Sequence, residues 1–330
     1  MPEPRQALLK QVTLLATCAE AVTPATGADK APFPFEDRIK LIDEVDAMKA
    51  VDLYEQLRLD LKRSERVEGD IPSSLRRNIG LNYYRLRRYE EALVELLEFL
   101  KVSPRDEDVL FAVAYSHGEL RQYEEAVKFW ERVTTVNPTN ATAFFNWGVA
   151  LDSLYQATHD TKWLELAFQK FERAVTIKPD MPEVFSKWGV SLAKMFEATR
   201  DVKWIHLSLP KYERAVALKP DFHKAYDNWS GDLTRLYRAT GDRSALERAV
   251  AKSRCALEIA PDRKDHCYNL ACALSLLGRK DDMLAALKEA IDHEPEHNKS
   301  MAREDEDFRA YWDDPDFIAL TKEDGGEQTG

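Results

Sequence analysis

The stretch from residue 167 to residue 189 reads AFQKFERAVTIKPDMPEVFSKWG, and a matching stretch from residue 208 to residue 230 reads SLPKYERAVALKPDFHKAYDNWS. Both contain Glu-Arg-Ala-Val, then Lys-Pro-Asp, then an aromatic residue followed by a tryptophan three positions on. Self-similarity at a fixed period of roughly 20–50 residues is the sequence signature of a repeat architecture. The offset between the two stretches therefore predicts a stacked array of similar units.

Prolines extend the pattern in both directions. Four of them are spaced by 41 positions, and one more lies 34 positions outside the series at each end. Proline lacks an amide N–H and clashes with the preceding helical turn, so each is expected to follow the end of a helix. In chain order they are Pro104, Pro138, Pro179, Pro220, Pro261 and Pro295. Six repeats are predicted, with the boundaries 73–106, 107–140, 141–181, 182–222, 223–263 and 264–297.

Small and large residues recur at matching positions within these repeats. Small residues are expected where two helices cross closely, and tryptophans are expected to fill the gap to the next repeat. The small residues are Gly80, Gly148, Ala167, Ala174 and Gly189, and the tryptophans are Trp147, Trp188 and Trp229. The recurring order of Trp-Gly, a later Ala, an aromatic residue and a closing Pro resembles the signature of the tetratricopeptide repeat family over residues 73 to about 300. The resemblance implies an all-α, right-handed helical-repeat solenoid of six helix–turn–helix units with helical caps at both ends.

Repeats 3 to 5 are seven residues longer than the others. The extra length surrounds three Ala-Thr-x-Asp turns at residues 157–160, 198–201 and 239–242. Seven residues correspond to about one extra turn on each helix of a pair. The extension provides either additional stacking area or a ledge for a partner.

The flanking segments are predicted from their composition. Residues 1–22 have the apolar spacing of an amphipathic helix, and residues 23–35 form a linker rich in proline. Residues 36–72 and 298–320 are expected to cap the two ends of the array, because terminal repeats need a polar outer face. Residues 321–330 form a disordered tail. The sequence Leu15-Ala16-Thr17-Cys18 loosely resembles a bacterial lipoprotein processing site, although the preceding apolar run is short for a secretion signal.

The composition excludes two classes of partner. Of the 330 residues 44% are hydrophobic and 32% are charged, and the net charge is −11. This charge should repel nucleic acid phosphates. No run approaches the ~20 apolar residues of a membrane helix. Four cysteines without a zinc or redox spacing fit a reducing compartment, and we expect a cytoplasmic protein.

No catalytic or metal-binding motif is present. The sequence has no glycine-rich phosphate loop and no nucleophile elbow. Its seven histidines are scattered, and the one close pair, His293 and His297, brackets a proline. We therefore expect no enzymatic activity, no cofactor and no metal.

In the tetratricopeptide family the first helix of each repeat lines the concave face, with positions 2, 5, 9, 12 and 13 pointing inward. By this resemblance, and with position 6 included, the partner-binding residues are Arg77, Tyr84, Arg85, Phe111, Tyr115, Phe145, Asn146, Lys187, Lys194, Lys224, Asn228 and Arg235. Arginine and aromatic residues are typical of interaction anchors, although a solvated basic surface would also explain the arginines near residue 77. The basic series indicates a partner with acidic or carboxylate-bearing character.

The function expected from these features is that of a scaffold or adaptor that binds a peptide or helix of another protein along the concave face. The alternative is a bacterial envelope assembly factor anchored by a lipid on Cys18. Self-association and the identity of the partner stay open. The acidic segment 304–316 is a candidate for a contact with the chain's own basic face.

Overall fold

The computed structural model describes residues 73–263 and 266–322, together with Lys49, Val51, Asp52, Glu55 and Gln56. Within these residues the protein is all-α and contains no strand. The helices are α1 Ser73–Arg85, α2 Tyr89–Val102, α3 Glu107–Glu119, α4 Tyr123–Val136, α5 Ala141–Thr158, α6 Lys162–Ile177, α7 Pro182–Thr199, α8 Lys203–Leu218, α9 His223–Thr240, α10 Arg243–Ile259, α11 His266–Leu277, α12 Lys280–His293, α13 Pro295–Glu304, a 3-10 helix Glu306–Tyr311, and α14 Pro315–Thr321.

The chain forms two compact units, residues 1–150 and 151–330, which we call the N-terminal and C-terminal units. In the N-terminal unit α1 packs on α2 and α3 on α4. In the C-terminal unit α7 packs on α8, α9 on α10 and α11 on α12, and α8 and α10 also contact the first helix of the following repeat. The predicted helix–turn–helix repeats are therefore present. The segments predicted for residues 1–22 and 23–35, most of 36–72, the tail after residue 322, and Cys18 lie outside the described residues.

The extra length of the long repeats is not shared equally between their helices. First helices α5, α7 and α9 have 18 residues, compared with 13 in α1 and α3. Second helices α6 and α8 have 16 residues, compared with 14 in α2 and α4. The expectation of one extra turn on each helix is therefore wrong, and most of the added length lies in the first helix.

The predicted turns of the long repeats share one geometry. The hydroxyl of Thr158 donates to the carbonyl of Leu154 and accepts from the amide of Asp160, whose carboxylate then accepts from the amide of Lys162. The turns at Thr199 and Thr240 repeat these hydrogen bonds. The residue between Thr and Asp is left-handed in each turn, with φ of 56° at His159, 58° at Arg200 and 75° at Gly241. Polar side chains thus satisfy the exposed backbone groups at the helix ends.

Close helix crossings explain two of the recurring glycines. A Cβ on Gly80 would lie 2.5 Å from the side chain of Leu96, and one on Gly189 would lie 2.6 Å from the ring of Tyr212. Leu96 and Tyr212 are both buried. These contacts confirm that small residues are needed where the paired helices cross.

The C-terminal segment is part of the core of its unit. Phe308 and Phe317 are 0% and 1% exposed and their ring centroids lie 5.6 Å apart. The 3-10 helix that carries Phe308 packs on α11, and α14 packs on α12 and α13. Burial of these two rings anchors the segment to the last repeat.

Candidate functional site

Two of the predicted partner-binding residues, Tyr84 on α1 and Tyr115 on α3, meet in the N-terminal unit. Their ring centroids lie 5.7 Å apart in a T-shaped arrangement. Tyr89, the first residue of α2, completes the group at 6.4 Å from Tyr84 and 6.2 Å from Tyr115. All three rings are partly exposed. Sequence reasoning missed Tyr89 because it belongs to a second helix, and only the turn between α1 and α2 brings it to the first-helix surface.

A carboxylate borders this tyrosine cluster. Glu119 follows Tyr115 by one helical turn on α3, and its negative charge acts on the Tyr115 phenol. Burial, and then the negative charge of Glu119, raise the pKa of Tyr89 and of Tyr115 above the ordinary value. Burial chiefly raises the pKa of Tyr84 as well. The three phenols therefore stay neutral at physiological pH and present uncharged aromatic faces.

Arg77 is held by the chain's own carboxylates. Its Nε lies 2.8 Å from Oδ2 of Asp106, and its Nη2 lies 2.9 Å from Oδ2 of Asp108. Burial opposes the charge of Asp106, but hydrogen bonds from Arg77 and from the amide of Val109 outweigh it and lower its pKa. Asp106 caps the start of α3, so Arg77 ties repeat 1 to repeat 2. Arg85, in contrast, is exposed at the end of α1.

The remaining predicted residues of the N-terminal unit are divided between core and surface. The ring of Phe111 packs edge-on against Trp130 at 4.9 Å and belongs to the margin of the core. Phe145 and Asn146 lie partly exposed on α5. The tyrosine cluster is thus the main aromatic group of this unit's first-helix surface.

In the C-terminal unit, two predicted lysines surround a buried carboxylate. Nζ of Lys187 and Nζ of Lys194 lie 3.0 Å and 2.7 Å from Oδ2 of Asp152, which is 0% exposed. Ser191 donates to the other oxygen at 2.6 Å. Burial opposes the charge of Asp152, but the two ammonium groups outweigh it and hold its pKa below the usual range. The sequence did not reveal this neutralisation, because periodicity assigns a side chain to a face but does not identify its partner on the neighbouring helix.

Arg235 is neutralised in the same way. Its guanidinium lies 3.0 Å from both Asp232 and Glu197, and Asp232 is 1% exposed. The two other predicted residues of this unit are more accessible, because Lys224 is exposed and Asn228 is partly exposed. Of the four predicted cations in the C-terminal unit, three are therefore paired within the chain.

The acidic C-terminal segment packs against α11, the first helix of the last repeat. Tyr268 donates to Asp305 at 3.2 Å, and Ser275 donates to the backbone carbonyl of Asp307. Arg238 on α9 forms a bidentate pair with the Asp307 carboxylate. Tyr268 and Ser275 stand at positions 5 and 12 of repeat 6, two of the positions predicted to point inward. The chain itself therefore contacts the predicted inner face of its last repeat.

One histidine pair was not anticipated. Nδ1 of His223 and Nε2 of His266 lie 2.9 Å apart, and Nδ1 of His266 lies 3.4 Å from Asp227. The two histidines are far apart in sequence, so a search for close spacings misses them. Both begin first helices of successive repeats, but they are 43 residues apart and the period of 41 does not align them.

Among the described residues, Cys272, Asp305 and Asp307 form a group whose ligand atoms could converge on a metal ion. Burial raises the pKa of the Cys272 thiol well above its usual value, and Arg238 already neutralises Asp307. A protonated thiol beside a guanidinium is a poor donor set for a cation. We therefore assign this group to packing of the C-terminal segment.

None of the helices in the described ranges has the length and hydrophobicity needed to cross a membrane.

Comparison with known proteins agrees with the repeat architecture. Residues 107–140 and 267–297 match the family model described as Tetratricopeptide repeat. The C-terminal part of a TPR repeat-containing protein from Cytophaga hutchinsonii superposes with a TM-score of 0.58 at 15% identity, covering 79% of this chain and 96% of that one. MamA (residues 41 to the end) from Desulfovibrio magneticus RS-1 gives a TM-score of 0.48 at 20% identity, covering 60% of this chain and 99% of that one. The two matched segments are therefore tetratricopeptide repeats, and the likeness in fold extends the helical-repeat architecture to most of the chain. These repeats support a general role as a protein-interaction scaffold.

One curated relative shares a short region with the chain. The Vi polysaccharide biosynthesis protein TviD of Salmonella typhi is 29% identical over 113 residues, which covers 32% of this chain and 14% of that protein. The chain thus matches only about one seventh of that relative's length.

Proposed function

We propose that this protein is a non-enzymatic scaffold that binds a peptide or helix of a partner protein on the surface formed by its first helices. The observation that carries the proposal is the cluster of Tyr84, Tyr89 and Tyr115, whose ring centroids lie within 6.4 Å of one another and which are partly exposed. Tyrosine is enriched among the residues that dominate binding energy at protein interfaces. Arg85, one residue beyond Tyr84, adds a second residue type favoured at such anchors.

Fewer residues support an acidic partner than the sequence predicted. Arg77, Lys187, Lys194 and Arg235 are each paired with carboxylates of the chain. A partner carboxylate would have to compete with these intramolecular ion pairs. The proposal therefore assigns recognition of an acidic group to the exposed side chains of Lys224 and Arg85.

The test is capture of partner proteins from a native lysate by three forms of the full chain. These are the wild type, a Tyr84→Ala/Tyr115→Ala double variant, and a Tyr123→Ala control. Tyr123 is a matched control because it is a partly exposed tyrosine of the same unit that begins a second helix. A partner retained by the wild type and the control but lost by the double variant supports the proposal.

Melting curves of all three forms establish whether the double variant is folded. If the folded double variant retains the same proteins as the wild type, the tyrosine cluster is not the binding surface. A Lys224→Glu variant tests recognition of an acidic group separately, since only a partner that carries such a group should lose affinity through that change.

The alternative of a lipid anchor on Cys18 rests on the sequence alone. Intact mass of the native protein decides it, because processing would remove residues 1–17 and add the mass of the lipid. An unmodified start contradicts this alternative.

A further inference from the structure

The tyrosine cluster has the dimensions of a site for an organic cation. The three ring centroids form a triangle with sides of 5.7, 6.2 and 6.4 Å, and the rings are inclined to one another by 52° to 83°. A cation placed about 3 Å outside the plane of the centroids would lie about 4.6 Å from each of them, within the ~6 Å range of a cation–π contact. The three ring centroids therefore lie within cation–π range of one point.

The carboxylate of Glu119 supplies a negative charge beside these rings. Its charge acts on the phenols of Tyr84, Tyr89 and Tyr115. Glu119 is exposed at the end of α3, so its carboxylate is accessible to a bound cation. Aromatic faces and one carboxylate together favour a cation over an anion.

One cation of the chain lies at the edge of the same cluster. The positive charge of Arg87 reaches Tyr89 and Tyr115, and the residue is exposed in the turn between α1 and α2. Its φ of 59° is left-handed, a conformation that glycine adopts at the corresponding turn residue Gly278. Arg87 should therefore repel a second cation at the cluster. Removing its charge should strengthen cation binding, whereas removing the charge of Glu119 should weaken it.

We propose that Tyr84, Tyr89, Tyr115 and Glu119 form a recognition site for an alkylammonium group, presented as a lysine or methylated lysine side chain of the bound partner segment. This inference rests on the proposed scaffold function, because the partner supplies the cation. It assigns a cationic anchor to the first helices of the N-terminal unit, in addition to any acidic group that Lys224 recognises.

The site can be tested without the partner. The full chain is titrated with four small probes and binding is followed by NMR of labelled tyrosine rings. The probes are tetramethylammonium, the blocked amino acids lysine and trimethyl-lysine, and the neutral tert-butyl isostere of trimethyl-lysine. Cation–π recognition predicts that trimethyl-lysine binds at least tenfold more tightly than its isostere, which has the same shape and no charge.

Four variants separate the contributions of the side chains. Tyr115→Phe keeps the aromatic face and should retain affinity within about threefold, whereas Tyr115→Leu should abolish binding. Glu119→Gln should weaken binding about fivefold, and Arg87→Gly should tighten it, because glycine suits the backbone there and the opposing charge is removed. Tyr123→Leu is the control and should have no effect.

Equal binding of the cationic probe and its neutral isostere would overturn the proposal, as would unchanged binding by the folded Tyr115→Leu variant. A preference for unmethylated lysine supports the site and identifies the plain ammonium as its ligand. Failure of every probe to bind, alongside successful partner capture that depends on Tyr84 and Tyr115, would reject the cation site and leave the scaffold function standing.

Discussion

The ammonium nitrogen of Lys194 lies 2.7 Å from a carboxylate oxygen of Asp152 that is fully buried. Asp152 is on α5 and Lys194 is on α7, so the contact joins the first helices of repeats 3 and 4. Lys187 lies 3.0 Å from the same oxygen. A residue predicted to recognise a partner thus has a structural role between repeats.

Asp152→Ala should destabilise the protein by about 2 kcal/mol, because it removes a buried carboxylate and leaves two partly buried ammonium groups without their counter-charge. Urea unfolding measures the change. The control is Glu98→Ala, which breaks the exposed pair with Lys101 and should have no measurable effect. If both variants unfold at the same urea concentration, the buried pair does not contribute to stability.

Gly189→Ala should destabilise the protein by about 2 kcal/mol, because the added methyl group would overlap the buried ring of Tyr212. Gly118→Ala is the matched control, since no atom lies within 4 Å of its added Cβ. There the better helix propensity of alanine should leave stability unchanged or raise it by up to ~1 kcal/mol. Similar melting temperatures for the two variants would argue against a close helix crossing at Gly189.

Gly241→Ala should lower the free energy of unfolding by about 1 kcal/mol, because an L side chain is disfavoured at a φ of 75°. Arg200→Ala, at the same position of the preceding repeat, should change it by less than ~0.5 kcal/mol, since that residue already accepts the left-handed conformation. Urea denaturation of the two variants gives the comparison. A larger loss at Arg200 would show that its side chain, and not the backbone, determines the stability of the turn.

Asp232 should give the protein a distinctive pH dependence. Burial raises the pKa of its carboxyl to about 6, and the Arg235 guanidinium offsets only part of the effect. A raised pKa means that the folded state holds a proton that the unfolded chain releases near pH ~3.9. The associated stability is present below that pH and is lost as the pH rises through about 6.

The measurement compares wild type with Asp232→Asn by urea unfolding between pH 4 and pH 7. The stability of the wild type relative to the variant should fall by about 2 kcal/mol over this interval, since a tenfold change in proton affinity corresponds to about 1.4 kcal/mol and the unfolded carboxyl is already partly ionised at pH 4. Titration of other carboxyl groups cancels in the difference. A difference that stays constant with pH would contradict a raised pKa at Asp232.

The sequence predicted the repeat period, the paired helices and the need for glycine at positions 80 and 189. These features are local or periodic, and periodicity depends only on which face of a helix is apolar. The sequence also placed the turns of the long repeats correctly, at the three Ala-Thr-x-Asp sequences. The predicted equal division of the extra length was wrong because it split the seven residues evenly and did not count the residues on either side of those turns.

The structure brings together only some of the residues that the sequence assigned to the partner-binding site. The spacing placed Tyr84 and Tyr115 on first helices, and the structure brings them together. It could not show that Asp152 and Asp232 lie beside Lys194 and Arg235, because those contacts depend on how neighbouring helices pack. Tyr89 was missed for a related reason, since a residue of a second helix reaches the first-helix surface only at the turn.

The relation between Lys194 and Arg235 has a consequence for how such a chain can be lengthened or shortened. The two residues occupy the same position in successive long repeats. Excision of residues 182–222 as a block would place Arg235 where Lys194 now stands, opposite Asp152, so a cation would still face that carboxylate. We therefore expect loss of this whole repeat to keep a cation opposite Asp152, whereas a deletion of another length would separate Asp152 from its partner.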